Sequence, residues 1–328
     1  MSDTLHNKPA FSVAPMMDWT DRHCRYFLRL LSPSAELYTE MVTAAAIYHG
    51  DADRLLRFDA AEHPVVVQLG GSDPGLMAAA ARRAADEGYD EININVGCPS
   101  DRVQSGQFGA CLMADPVLVA DCYRAMHEAV EIDITVKSRI GIDDKDSYGF
   151  LDEFVSTLAA AGCRKFIVHA RVALLSGLSP KENRSIPPLR YPVVYRLKKE
   201  HPELEVIING GIQNLADVDA ALEHVDGVMI GREAYHNPYF LAELEQHAGS
   251  GIPPPARTGV VAAMLPYIER ELASGTRLHS ITRHMLGLFA GQPGARTWRR
   301  HLSENARGDD AGIAVVTDAL EAMRRVAA

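Results

Sequence analysis

Eight short runs rich in β-branched residues recur along the chain, each followed by a helical or turn pattern, and no other feature limits the fold as much. The runs are Phe11–Met16, Ala35–Met41, Pro64–Leu69, Glu91–Val96, Asp133–Ser138, Lys165–Ala170, Glu205–Asn209 and Gly227–Ile230. Amphipathic stretches such as Pro74–Glu87, Pro116–Ala129, Tyr148–Ala161 and Leu215–Leu222 lie between them. Pro116 stands where a first-turn proline is tolerated, and Gly88 and Gly162 stand where helices stop. This repeat, running from Phe11 to about Gln246, predicts an α/β chain closed as a (β/α)8 barrel. A doubly wound sheet is the alternative.

Most of these runs lack polar alternation until their last residue, as strands covered on both faces must. Polar side chains then gather at the C-terminal ends: Asp18, Glu40, Gln68, Asn95, Lys137, Arg139, His169, Arg171, Asn209 and Arg232. In such a barrel those ends form the catalytic mouth. Two loops leaving that face, Cys98–Asp115 and Val172–Pro188, are longer than the barrel requires and are candidates for a lid or substrate clamp.

The run Gly251-Ile252-Pro253-Pro254-Pro255 divides the chain into a catalytic barrel over 1–249 and a small helical domain over 250–328. Helices are expected there at Gly259–Ser274, Leu278–Phe289, Thr297–Glu304 and Ala311–Arg325. A net charge of −10 speaks against a nucleic-acid partner until its distribution is considered. Residues 250–328 hold ten Arg, no Lys and seven acidic side chains, so the excess of acid lies wholly in the preceding part. Arginine favours planar, bidentate phosphate contacts; a merely solvated basic face is the plainer reading.

Other classes are disfavoured. No apolar run approaches the ~20 residues that span a bilayer, and the polar segment Met1–Ala10 lacks the apolar core of a secretory signal. A cytoplasmic location without membrane association is expected. The five cysteines are an odd number, widely spaced and without a CxxC pair, which argues against a disulfide framework or structural zinc. No HExxH motif, P-loop or GxGxxG turn after the first strand is present. Hence no metal is expected, and a nicotinamide would come only as a transient reductant.

The seventh run ends in Asn209-Gly210-Gly211 and the eighth in Gly231-Arg232. Loops after strands seven and eight of such barrels often cradle a phosphate with backbone N–H groups, and Arg232 can add charge-assisted bonds. A mononucleotide anchored there would lay its ring across the mouth. Lys137 could then offset the negative charge of a reduced flavin, Gln68 could read its polar edge, and Ala14-Pro15-Met16-Met17 could support it. His169 could bond either the phosphate or the ring. Pairing of Lys137 with Glu40 or Asp18 is the structural alternative.

Ala14-Pro15-Met16-Met17-Asp18, Asn93-Ile94-Asn95-Val96-Gly97-Cys98-Pro99-Ser100, Val136-Lys137-Ser138-Arg139 and Asn209-Gly210-Gly211-Ile212 closely resemble the tRNA-dihydrouridine synthases. Trp19-Thr20-Asp21-Arg22 and Gly294-Ala295-Arg296-Thr297-Trp298-Arg299-Arg300 look like the bacterial A branch of that family. The resemblance runs from about Phe11 to Ala306 and implies FMN-dependent reduction of uridine C5–C6 in the tRNA D-loop, near position 20. NADPH is the implied reductant. It also implies that Cys98 is the proton donor and that Asn95 lies beside substrate and flavin. FMN contacts are implied for Pro15, Met16, Met17, Gln68, Lys137, His169, Asn209, Gly210, Gly211, Gly231 and Arg232. RNA contacts are implied for Arg184, Arg296 and Arg299. A thiol with a pKa of roughly 8.5 stays protonated at neutral pH, whereas an ordinary carboxyl does not, so a cysteine suits the acid's role.

A small-molecule FMN reductase, an RNA-binding barrel without catalysis and a Schiff-base aldolase using Lys137 are the competing functions. A monomer without an obligate protein partner is expected.

Overall fold

In the computed structural model, which describes residues 10–100 and 106–327, eight parallel strands close into a barrel in chain order. They are β1 (Ala10–Val13), β2 (Glu36–Thr43), β3 (Val65–Gly70), β4 (Glu91–Val96), β5 (Asp133–Arg139), β6 (Lys165–His169), β7 (Glu205–Asn209) and β8 (Gly227–Ile230). Closure comes from β1 pairing with β8, with Phe11 opposite Val228 and Val13 opposite Ile230. The first strand is shorter than its apolar run because Pro15 has no N–H to donate to a ladder.

Helices cover the outside, and their starts are written in short polar side chains. Asp73 accepts the Leu76 N–H at 2.8 Å, Asp115 that of Leu118 at 3.1 Å and Ser147 that of Phe150 at 3.2 Å. These caps open Pro74–Glu87, Pro116–His127 and Tyr148–Ala160 by satisfying N–H groups that have no partner within the helix. Gly88, at φ 94°, ends the first of them in the left-handed conformation. Among the described residues, no helix is long and apolar enough to cross a membrane.

Ala14, Tyr38, Val66, Ile167, Ile207 and Met229 form one buried cluster in the barrel. Strand β4 stands apart from the apolar pattern that most of the runs follow. Buried Glu91 and Asn93 alternate with Ile92 and Ile94 along β4, and buried Thr135 and Lys165 stand on β5 and β6. These polar groups persist because they bond one another. Lys165 Nζ lies 3.0 Å from Glu91 and 2.6 Å from Glu36. Burial and the nearby Glu36 push the Glu91 carboxyl up to about 7, against the pull of Lys165. Burial opposes the charge on Lys165, yet the two carboxylates hold its pKa above the usual lysine value.

The chain forms two compact units, and their limits differ from a split at residue 250. The first contains residues 1–17 and 36–231; the second contains 18–35 and 232–328. Side-chain bonds explain why the early segment joins the late one. Glu245 is buried and accepts from Ser32 Oγ at 2.5 Å and Ser34 Oγ at 2.8 Å. Arg22 meets Glu271 at 2.6 Å, Tyr26 stacks on Tyr267 at 3.9 Å, and Trp19 stacks on Tyr235 at 4.3 Å. Asp21 caps the helix Arg22–Arg29 and lies 3.1 Å from His284. Burial works against the Asp21 carboxylate, but the hydrogen bond and charge of His284, with the Cys24 N–H, hold it well below the usual carboxylate range. Burial and Arg22 push His23 down to about 4, and its ring lies 2.7 Å from the Tyr267 hydroxyl.

The expected helix Leu278–Phe289 ends at Thr282 and continues as turns. Gly287 shows the local demand: a Cβ there would stand 2.4 Å from the His236 carbonyl oxygen. The other late helices span Arg257–Ala273, Ala295–Asn305 and Ala314–Ala327. Residues 1–9, read above as a polar terminus, and residues 101–105 of the long loop after β4 lie outside the described residues.

Candidate active site

The turn after β7 begins the site. Gly210 and Gly211 have φ values of 110° and 79°, which L side chains rarely adopt. A Cβ on Gly210 would stand 2.6 Å from the His169 ring, and one on Gly211 would stand 2.5 Å from Leu189 and 2.7 Å from the Tyr191 hydroxyl. Tyr191 donates that hydroxyl to the Gly210 carbonyl at 2.6 Å, fixing the turn. After β8, a Cβ on Gly231 would find nothing nearer than Ala14 and Met16, both beyond 3.7 Å. The two strand ends therefore offer bare backbone, one in a tight turn and one in open space. Gly211→Ala is expected to cost about 2–4 kcal/mol in urea unfolding, from left-handed strain and overpacking together. The same variant should retain less flavin after purification.

Next to this turn, Lys137 Nζ donates to Asn209 Oδ1 at 3.1 Å. Asn209 is held the other way round by donating its Nδ2 to the Met229 carbonyl at 2.8 Å, so its oxygen faces the lysine. Neither Glu40 nor Asp18 pairs with Lys137, and no carboxylate does so among the described residues. Burial, helped by Arg139, pushes the amine down to about 7, although the side chain keeps partial exposure. An amine so placed lacks an anion and would gain one from a cofactor carrying negative charge. This donor set, with the glycine turn beside it, fits a flavin mononucleotide.

On the neighbouring strand β4, where it pairs with Lys137, Asn95 joins two parts of the site. Its Oδ1 accepts the N–H groups of Gly97 at 3.1 Å and Cys98 at 3.0 Å, shaping the turn that follows β4. Its Nδ2 donates to Gln68 Oε1 at 2.7 Å. Cys98 is half-buried, and its thiol points to Ser100 Oγ at 3.5 Å. Cys24, Cys122 and Cys163 are buried, and burial pushes the last two thiols up to about 12. The half-buried Cys111 directs its thiol to the Phe108 carbonyl, and burial raises its pKa.

Arg139 was legible as a rim residue, but its structural part was not. Its guanidinium donates to the carbonyls of Gly97, Val172 and Asn183 at 3.2, 3.3 and 2.9 Å. It thereby ties the turn bearing Cys98 to the loop after β6. Burial pushes it down to about 10, and Arg184 and Arg171 add to the lowering.

Pro15 and Met16 are half-buried and Met17 is exposed just after β1. Gln68, Asn95 and Asn209 are buried, and His169 is half-buried against Gly210. Bonds or close approaches thus bring Gln68, Asn95 and Cys98 into one set, and Lys137, Asn209, Gly210 and His169 into another. Arg184 is exposed on the turn Glu182–Arg184. Arg232, Arg296 and Arg299 belong to the second unit and are exposed there. The i, i+3, i+4 positions Arg296, Arg299 and Arg300 share one side of Ala295–Asn305, while Trp298 and Leu302 are buried. Asn93, Thr135 and Glu91, beneath the mouth, were missed; the alternation Glu91-Ile92-Asn93-Ile94-Asn95 was the available signal.

A family model described as "Dihydrouridine synthase (Dus)" matches residues 12–324. A protein of Shewanella oneidensis named tRNA-dihydrouridine(20/20a) synthase is 57% identical over 99% of this chain and 97% of its own length. Proteins of the same name are 60% identical in Escherichia coli K12, over 97% of this chain and 92% of theirs, and 59% identical in Vibrio cholerae, over 94% and 95%. Among solved structures, an old yellow enzyme homologue from Zymomonas mobilis aligns with a TM-score of 0.52 over 77% of this chain and 91% of its own. At 12% identity, that likeness shows the fold alone.

Proposed function

Because the chain belongs to the dihydrouridine synthase family, we propose that it reduces the C5–C6 bond of uridine at positions 20 and 20a of the tRNA D-loop, using FMN and NADPH. The observation that best supports the cofactor is the Lys137 amine, bonded to Asn209 beside the Gly210–Gly211 turn and lacking a carboxylate. Bound FMN, with NADPH as its reductant, would supply hydride chemistry for this reduction.

The chain's residues supply the rest. Gly210, Gly211 and Gly231 present backbone to the phosphate, with Arg232 next in the chain adding positive charge. His169, packed against the glycine turn, serves the phosphate or ring. Lys137, held by Asn209, offsets negative charge on the ring, Gln68 meets its polar edge, and Pro15, Met16 and Met17 support it. Asn95 holds the turn of Cys98 and lies beside the base. The Cys98 thiol gives its proton to C5 as the acid of the reaction. Arg139 keeps the Cys98 turn in place through the Gly97 carbonyl.

The target base must leave its stack, at a cost of a few kcal/mol that RNA contacts elsewhere offset. Arg184 and the exposed side of Ala295–Asn305 are assigned to those contacts. No ion pair occupies Arg296, Arg299 or Arg300 among the described residues, which leaves them open to phosphates. Arg296→Ala with Arg299→Ala should weaken tRNA binding about tenfold and lower the salt slope by about two, with FMN content unchanged. Loss of flavin in that double variant would remove the arginines from the RNA's account.

The deciding experiment incubates purified protein, FMN and NADPH with tRNA that lacks dihydrouridine but keeps its other modifications. Mass spectrometry should find two added hydrogens at a D-loop uridine. An unchanged tRNA, with a yellow protein that still oxidises NADPH, would reject the substrate in favour of a small-molecule reductase.

A further inference from the structure

Below Gln68 and Asn95, the barrel interior contains a hydrogen-bond chain whose direction is fixed at its upper end. At the upper end, the Gly97 and Cys98 N–H groups can only donate, so the Asn95 oxygen must face them. Asn95 Nδ2 then donates to Gln68 Oε1 at 2.7 Å, and Gln68 Nε2 to Asn93 Oδ1 at 2.8 Å. Asn93 Nδ2 donates to Thr135 Oγ1 at 2.9 Å, and Thr135 donates its hydroxyl to Glu91 Oε1 at 2.7 Å. At the lower end, the Glu91 carboxylate accepts, with Lys165 on its other oxygen and the Tyr38 hydroxyl 3.2 Å from the first. All five linking side chains are buried.

We propose that Asn93, Thr135 and Glu91 are positioning residues that hold the Gln68 amide in the one orientation that Asn95, fixed from above, can bond, and so maintain the donor–acceptor pattern the mouth offers to flavin and uracil. None of the three needs to touch either ligand. Turning the Asn93 amide would set its NH2 against that of Gln68. Turning Gln68 as well would set NH2 against NH2 at Asn95. Asn95 cannot follow, because two backbone N–H groups hold its oxygen. Any reversal therefore breaks a buried pair, and such pairs are costly to leave unmade. The Thr135 hydroxyl is the link that converts a carboxylate acceptor into an acceptor for an amide. Its loss would leave Asn93 Nδ2 without this acceptor, so the present order would also be one bond short and the order with Asn93 and Gln68 turned over would compete with it.

This inference rests on the FMN reading, and its test separates the two. The protein is stripped of flavin and retitrated with FMN by fluorescence, alongside Thr135→Val, Thr135→Ser and Asn93→Leu. Absorption spectra of bound flavin and thermal unfolding of each flavin-free protein accompany the titrations. Thr135→Val and Asn93→Leu should weaken FMN about fivefold or more and shift its visible band. Thr135→Ser, which keeps the hydroxyl, should stay within about twofold of the parent. A parent-like affinity and spectrum in Thr135→Val overturns the positioning role, and so does a Thr135→Ser protein as impaired as the valine form. Asn93→Leu decides the matter if Thr135→Val does not fold. A parent that binds no FMN overturns the cofactor reading and this one together.

Discussion

Replacing Cys98 with alanine should leave FMN bound and reducible by NADPH while cutting dihydrouridine formation by about a thousandfold, within the usual range for a lost general acid. The expectation follows from how the residue is held. The turn around it depends on backbone bonds: the Cys98 N–H to Asn95, the Cys98 carbonyl to the Ala110 N–H, and the Gly97 carbonyl to Arg139. None involves the sulfur, whose own bond goes to neighbouring Ser100. The alanine protein should therefore keep its fold, its flavin and its RNA affinity, and lose only the step that protonates C5. Single-turnover reaction of pre-reduced enzyme with tRNA is the direct measurement. Parent-like rates would remove Cys98 from the mechanism, and loss of flavin would mean that the sulfur shapes the site.

Lys137→Met should have opposite effects on stability and function. In the flavin-free protein the folded amine has its pKa pushed down to about 7, against 10.5 for an ordinary lysine. Above the ordinary value neither folded nor unfolded chain carries the proton. As pH falls from there towards 7, the unfolded chain takes up a proton that the folded one refuses, so stability declines through that window and levels off below it. Between pH 9 and 7 the full effect would be about 2.3 kcal/mol, and water reaching the partly exposed side chain reduces it to about 1–2 kcal/mol. The methionine variant, matching lysine in length without the charge, should lack this slope and melt higher than the flavin-free parent at pH 7. It should also bind FMN at least about tenfold more weakly, most clearly in the reduced state, since it cannot offset the added negative charge. A parent whose stability is flat over this window would show that the amine is solvated.

Much of this was legible from local pattern. Glu91–Val96, Glu205–Asn209 and Gly227–Ile230 are strands with the limits that their runs suggested, and Pro74–Glu87 is a helix with the limits set by its proline and glycine. The strand-end polar residues were equally visible, because the mouth of a barrel is where apolar runs stop. What escaped was information carried across the chain. The run Glu91-Ile92-Asn93-Ile94-Asn95 looks like a strand with one wet face until Gln68, Thr135 and Lys165, from three other strands, supply partners for its polar side chains. Arg139 likewise shows a cation in sequence but not the three carbonyls it gathers. The proline run at 253–255 suggested a boundary by composition, whereas Ser32 and Ser34 find their acceptor at Glu245, more than two hundred residues away.

The second unit is made of two pieces separated by most of the barrel. On a ribosome, Trp19, His23 and Tyr26 would be synthesised early, while Tyr235 and Tyr267, against which they stack or bond, would come near the end. Through nearly all of synthesis those aromatic groups, the Asp21 carboxylate and the helix it caps would wait without their permanent neighbours. A nascent chain of this design would carry its early segment without these partners until residues 232 onward emerge, and a fragment beginning at residue 232 would lack part of its own interior.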